Sequence, residues 1–118
     1  MLNLAHKNLD VYKTSKELVK EIYLLTFNFP KDEIYSLTNQ LRRASVSIPS
    51  NIAEGMSRNT NKDIKRFLII ARSSLVEIDT QIEIALSLKL LDIGSIKKLE
   101  ELIIRTFSML SKLIKHYN

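Results

Sequence analysis

The chain has 118 residues and a net charge of +5, with 45% apolar and 26% charged residues. Two glycines, two prolines and no cysteine exclude a collagen-like chain, a disulfide framework and a thiolate metal site, and argue against a turn-rich sandwich. A single domain of this length, residues 1–118, buries about two-thirds of its unfolded surface, enough for one core without staples. The N-terminus lacks the basic-then-apolar layout of a signal peptide, and no uncharged run reaches the ~18–20 residues of a membrane span. The expectation is therefore a soluble, cytoplasmic protein that keeps clear of membranes.

The first helix is predicted over residues 9–29. Val11, Ser15, Leu18, Ile22, Leu25 and Phe29 recur at alternating steps of four and three, the repeat used in helical bundles. Phe29-Pro30 ends it, because a residue before proline avoids helical dihedrals. The second helix is predicted over about 32–53, with Asp32 and Glu33 opposite the dipole at its start. Ile34, Leu37, Leu41, Ala44, Ile48 and Ile52 carry helical spacing straight across Pro49, so a kink is expected there. Small residues surround it (Ala44, Ser45, Ser47, Ser50, Ala53), which lets neighbouring backbones approach, and Gly55 reads as a left-handed cap.

Thr60 or Asn61 caps a third helix over about 62–90, with Asp63 in its first turn. Its expected core positions are Ile64, Phe67, Ala71, Leu75, Ile78, Ile82 and Ala85. Asp92-Ile93-Gly94 makes a tight turn, and Ser95 is an N-cap for a fourth helix over about 95–117. There Ile96, Leu99, Ile103, Thr106, Leu110, Leu113 and Tyr117 form the inward stripe. The fold class is all-α: an up-down-up-down antiparallel four-helix bundle with helix two kinked at Pro49.

Two helices carry more apolar surface than a lone bundle needs. Tyr12, Val19, Tyr23 and Phe27 lie on the side and back of helix one, and Ile69, Val76 and Ile84 lie away from the core side of helix three. Single exposed apolar residues are ordinary. A periodic outward stripe instead favours burial against another subunit, so these seven are the candidate oligomer interface.

The basic charge is clustered. Residues 56–76 hold Arg58, Lys62, Lys65, Arg66 and Arg72 against Asp63 alone, and residues 97–118 hold five basic groups against two acidic ones. Clustering of this kind is the footprint of a polyanionic partner. Catalytic signatures are missing: His6 and His116 lack a companion carboxylate, Gly55 and Gly94 stand alone, and Ser45, Ser47 and Ser50 have no nearby histidine base. No enzyme, metal or cofactor is expected. Asn51 and Glu54 read as a hydrogen-bonded pair closing helix two.

The run Leu37-Thr38-Asn39-Gln40-Leu41-Arg42-Arg43-Ala44, continued by Ser47-Ile48-Pro49-Ser50-Asn51-Ile52-Ala53-Glu54-Gly55, resembles a bacterial family. It is the four-helix bundle proteins encoded in intervening sequences of 23S ribosomal RNA genes, which include the accessory variability proteins of diversity-generating retroelements. Leu9 to Tyr12, Phe29-Pro30 with Glu33, and Phe67-Leu68 with Ala71, Ser74-Leu75 and Glu77 extend the match over about residues 8–91. Ser73 departs from the family's glycine. The resemblance implies a ring-like homopentamer, a basic surface for RNA or DNA and, in the retroelement branch, a reverse transcriptase partner. Arg42, Arg43, Asn51 and Glu54 map onto its signature positions.

Two functions of different class follow. In one, Arg42, Arg43, Arg58, Lys62, Lys65, Arg66 and Arg72 bind nucleic-acid phosphates in a salt-dependent, sequence-tolerant way. No stacking platform accompanies them, since Tyr23 and Tyr35 are not interleaved with the basic run. In the other, the protein is a structural adaptor for a protein partner.

Overall fold

A computed structural model describes residues 1–34 and 36–118. Tyr35, which falls in the predicted second helix, lies outside the described residues. Four α-helices account for most of the chain, and no strand occurs among the described residues. They are α1 (Asp10–Thr26), α2 (Leu37–Met56), α3 (Asn61–Ser87) and α4 (Lys97–His116). α1 packs on α2, α2 on α3, α3 on α4, and α4 back on α1. The molecule measures 44 × 27 × 20 Å.

The boundaries differ from the predicted ones for local reasons. α1 stops at Thr26, short of Phe29: the Thr26 hydroxyl turns back to the Ile22 carbonyl at 2.7 Å, and the Phe29 N–H bonds the Thr26 carbonyl in a tight turn. Phe29 is buried all the same. α2 begins at Leu37 rather than 32, because Lys31–Glu33 form a 3-10 turn after Pro30. The Glu33 carboxylate then accepts the Leu37 N–H at 3.4 Å, capping α2 from outside instead of sitting in its first turn. α2 runs unbroken through Pro49 to Met56.

Gly55 is not a left-handed cap. No glycine has a positive φ, and Gly55 lies buried inside α2. The left-handed residue is Lys89 (φ 59°), where the Leu90 N–H bonds the Ala85 carbonyl at 2.9 Å and closes α3 before 90. Thr60 caps α3 as expected, its hydroxyl oxygen accepting the Asp63 N–H at 3.2 Å. Ser95 does not cap α4: it sits in the 3-10 turn Ile93–Ser95 and donates to the Asp92 carbonyl at 2.7 Å.

The core is one cluster whose fully buried members include Leu18, Ile22, Leu41, Ile48, Ile52 and Leu99. On α3 it takes Leu68, leaving Ile64 and Phe67 half-buried. On α4 it takes Leu102 and Ile114, leaving Ile103, Leu113 and Tyr117 half-buried. The rest of each predicted stripe is buried as expected: Ala71, Leu75, Ile78, Ile82 and Ala85 in the third helix, and Ile96, Leu99, Thr106 and Leu110 in the fourth segment. Adjacent apolar pairs such as 102/103 and 113/114 fit the same helical period, so only packing decides which member turns inward.

Hydroxyl residues occupy the tight crossings. Ser15, Ser45 and Thr106 are buried and donate to carbonyls three or four residues back, at 2.7, 2.8 and 2.6 Å. That satisfies each hydroxyl without a partner helix, so the neighbouring backbone can come close.

Candidate nucleic-acid interface

At Gly55 the backbone of α2 comes close to α3. A Cβ placed there would stand 2.9 Å from the Phe67 Cβ and 3.3 Å from the Ile64 carbonyl oxygen. Phe67, anchored against this glycine, keeps its ring half-exposed at the bundle end. Two guanidinium groups lie over it, Arg66 at 4.4 Å and Arg58 at 4.7 Å from the ring centre. Each arginine also has a carboxylate beside it: Arg58 bonds Glu54 one turn back, and Arg66 lies 3.6 Å from Asp63. Stacking and these carboxylates hold the planar groups in place, and the N–H donors not turned to Glu54 or Asp63 are the ones an anion would meet.

Lys62 is exposed on the same corner. Lys65 reaches across the end of the bundle and hydrogen-bonds the Asn118 side-chain amide oxygen. The Tyr117 hydroxyl comes within 4.0 Å of the Met56 sulfur. These contacts bring Tyr117 and Asn118, just past the C-terminus of α4, to the corner formed by α2 and α3. Lys112 and Lys115 are exposed on the last two turns of α4 that lead to it.

The remaining predicted contacts lie elsewhere. Arg42 is committed within the fold: its Nε donates to Thr26 Oγ1 at 3.0 Å and its guanidinium covers the Tyr23 ring at 4.6 Å. Arg72 turns to α4, donating to Ser111 Oγ at 3.2 Å beside Phe107. Arg43 is exposed and makes no hydrogen bond or ion pair among the described residues. Asn51 and Glu54 do not pair with each other. Asn51 donates to the Ser47 carbonyl and hydroxyl at 2.8 and 2.9 Å, while Glu54 serves Arg58. A four-residue spacing from each to its real partner is the better match to one helical turn.

Of the seven interface candidates, Tyr23, Phe27, Ile69, Val76 and Ile84 are exposed. Tyr12 and Val19 are half-buried, and Tyr12 packs against the core with its ring edge-on to His6 at 4.8 Å. Val76 joins two residues that the sequence did not single out, Ile104 and Phe107, and two expected in the core, Leu75 and Ile103. Together they line an apolar groove of about 370 Å³ between α3 and α4. The signal for it was the doubled apolar stripe on α4, which is wide enough to serve two surfaces.

Among the described residues no group of histidines and carboxylates could hold a metal ion. Among the described residues no helix is long and apolar enough to cross a membrane.

Comparison with known proteins fits this architecture. No curated protein matches the sequence. A crystal structure of a protein with unknown function from the S23 ribosomal protein family of Bacteroides thetaiotaomicron superposes with a TM-score of 0.79. It is 21% identical, and the match covers 89% of this chain and 95% of that one. Residues 7–112 match the model of the 23S rRNA-intervening sequence protein family. With so much of the chain matched, and four helices where that family is expected to have them, the protein belongs to the 23S rRNA-intervening sequence protein family.

Proposed function

We propose that the protein is a non-enzymatic, cytoplasmic homo-oligomer that binds the phosphate backbone of RNA or DNA through its basic end. The observation that carries this is the cluster of Arg58, Lys62, Lys65 and Arg66 with only Glu54 and Asp63 beside it, at the corner to which Lys65–Asn118 and Tyr117–Met56 tie the end of the lysine-bearing helix α4. Cations gathered on one surface release condensed counterions when they meet a nucleic acid, giving sequence-tolerant, salt-sensitive binding. The Arg58 and Arg66 groups are already stacked, so less side-chain freedom is lost on binding. Repetition of the site in an oligomer multiplies weak contacts by avidity.

The chain path assumed is an up-down-up-down antiparallel bundle with α2 kinked at Pro49. Support comes from the ring of helix contacts and from pairs such as Ser47 with Ser74 (2.9 Å) and Lys98 with Glu21 (3.9 Å). Self-association is supported by the apolar groove beside Val76, which water would otherwise fill. The same groove favours a second reading, an adaptor whose partner is another protein, such as a reverse transcriptase.

The test is a light-scattering mass followed by titration of labelled RNA and DNA at two salt concentrations. Four phosphate contacts predict roughly a 50-fold loss of affinity for a single strand between 50 and 200 mM salt. The double substitution Lys65→Glu with Arg66→Glu is expected to abolish binding and leave the mass unchanged. An unaltered titration would refute the basic-end reading and leave the adaptor.

A further inference from the structure

A second polar site lies midway along α2 and α3, away from the basic end. It is a cleft of about 480 Å³, with Arg43 on one wall, Glu77 and Gln81 on the other, and Ile70 at its side. Three features distinguish it from ordinary wet surface. Arg43 and Glu77 carry opposite charges and line the same cleft, yet neither forms an ion pair among the described residues. The Gln81 Oε1 atom is shut off from solvent and accepts no hydrogen bond among the described residues. Beneath them Ser47 and Ser74 bond each other at 2.9 Å, Asn51 donates to Ser47, and Ser74 reaches the Ile70 carbonyl. The floor is satisfied and fixed, whereas the walls hold the unspent Arg43 guanidinium, with the Asn39 and Gln40 amides beside it, facing the unspent Glu77 carboxylate and Gln81 oxygen.

A ligand that fits must present acceptors to Arg43 and several N–H groups to Glu77 and Gln81. Among nucleobases, guanine carries both sets. Its O6 and N7 are adjacent acceptors suited to a guanidinium, and its N1–H and N2–H₂ lie on the neighbouring edge, which single-stranded recognition reads. The Glu77 carboxylate would accept N1–H and one N2–H, and Gln81 Oε1, once its side chain turns out of its enclosed position, the other. Adenine would turn its amino group toward Arg43, uracil has one N–H, and cytosine offers only its N4 amino group. We propose that this cleft takes an unpaired guanine of a single strand whose backbone is held at the basic end. The inference rests on the nucleic-acid reading above and adds to it a base preference. Arg66 and Glu77 are both on α3, about 17 Å apart along the helix, so a strand several nucleotides long reaches both.

The test is fluorescence anisotropy with a labelled 12-nucleotide oligouridine and with the same strand carrying one central guanine, adenine or cytosine. The guanine strand is expected to bind about tenfold more tightly than the other three. Glu77→Gln and, separately, Gln81→Leu should reduce it to the level of oligouridine, with oligouridine binding and its salt slope unchanged. Glu77→Gln removes a negative charge, so a purely electrostatic effect would strengthen binding instead. Equal affinity of the wild-type protein for all four strands overturns the guanine cleft while leaving backbone binding intact. Failure to bind any strand overturns both. A guanine preference that survives both substitutions overturns the assignment to this cleft.

Discussion

Replacing Gly55 by alanine sets two known effects against each other. Inside a helix, alanine is favoured over glycine by about 1 kcal/mol, and Gly55 has ordinary helical φ, so propensity alone predicts stabilisation. The added methyl, however, would lie 2.9 Å from the Phe67 Cβ and 3.3 Å from the Ile64 carbonyl oxygen. Both atoms belong to or adjoin the backbone of α3 and cannot swing aside as a side-chain tip would. Overpacking of this kind costs about 1–3 kcal/mol, so the net expectation is a loss of about 1 kcal/mol. At fixed protein concentration that lowers the urea midpoint by about 0.5 M, taking a slope of ~2 kcal/mol/M. Gly94 is the control, with nothing within 4 Å of a new Cβ. Gly94→Ala should be neutral or stabilise by up to ~1 kcal/mol. A Gly55→Ala midpoint at or above wild type would refute the close-packing argument. The substitution also has a functional readout: moving α3 outward shifts Phe67, and nucleic-acid affinity should fall with it.

Three further outcomes follow from particular residues. Thr38 is buried with its hydroxyl unpartnered among the described residues; Thr38→Val should stabilise the protein by about 1 kcal/mol, read as a rise of ~4 °C in Tm. Lys89 holds a left-handed conformation that costs a non-glycine residue about 1 kcal/mol; Lys89→Gly should recover part of it in the same melt, and a loss would contradict the assigned backbone. Phe107→Glu places a charge in the α3–α4 groove, and light scattering should then show a smaller particle than wild type with the helical circular dichroism retained.

Much of the fold was legible from the residues. The four helices follow from a regular apolar period with few breakers, and the Thr60 cap from its chemistry. Helix register was less so, because Leu102 and Ile103 satisfy the same period and only the neighbouring helices choose between them. The glycines were misleading for a related reason. Gly55 is required by a contact with α3, which is invisible in sequence, while the left-handed position among the described residues went to Lys89. For the candidate site, the arginines and lysines could be counted but their partners could not. Arg42 and Arg72 look as available as Arg58 in the sequence, yet they are bonded to Thr26 and Ser111. Phe67 reads as core, whereas it supports two guanidinium groups. The joining of Lys65 to Asn118 spans 53 positions, beyond any local pattern.

The placement of charge along the bundle has a consequence for how the protein meets a polyanion. The residues before α2 and around the start of α4 hold Asp32, Glu33, Asp92, Glu100 and Glu101 among Lys31, Lys89, Lys97 and Lys98, so charge there nearly cancels. A particle 44 Å long with its excess cations at one end experiences a torque in the field of a polyanion, and arrives basic end first more often than chance. At physiological salt, where charges are felt over about 8 Å, the alignment acts only in the last moments of approach.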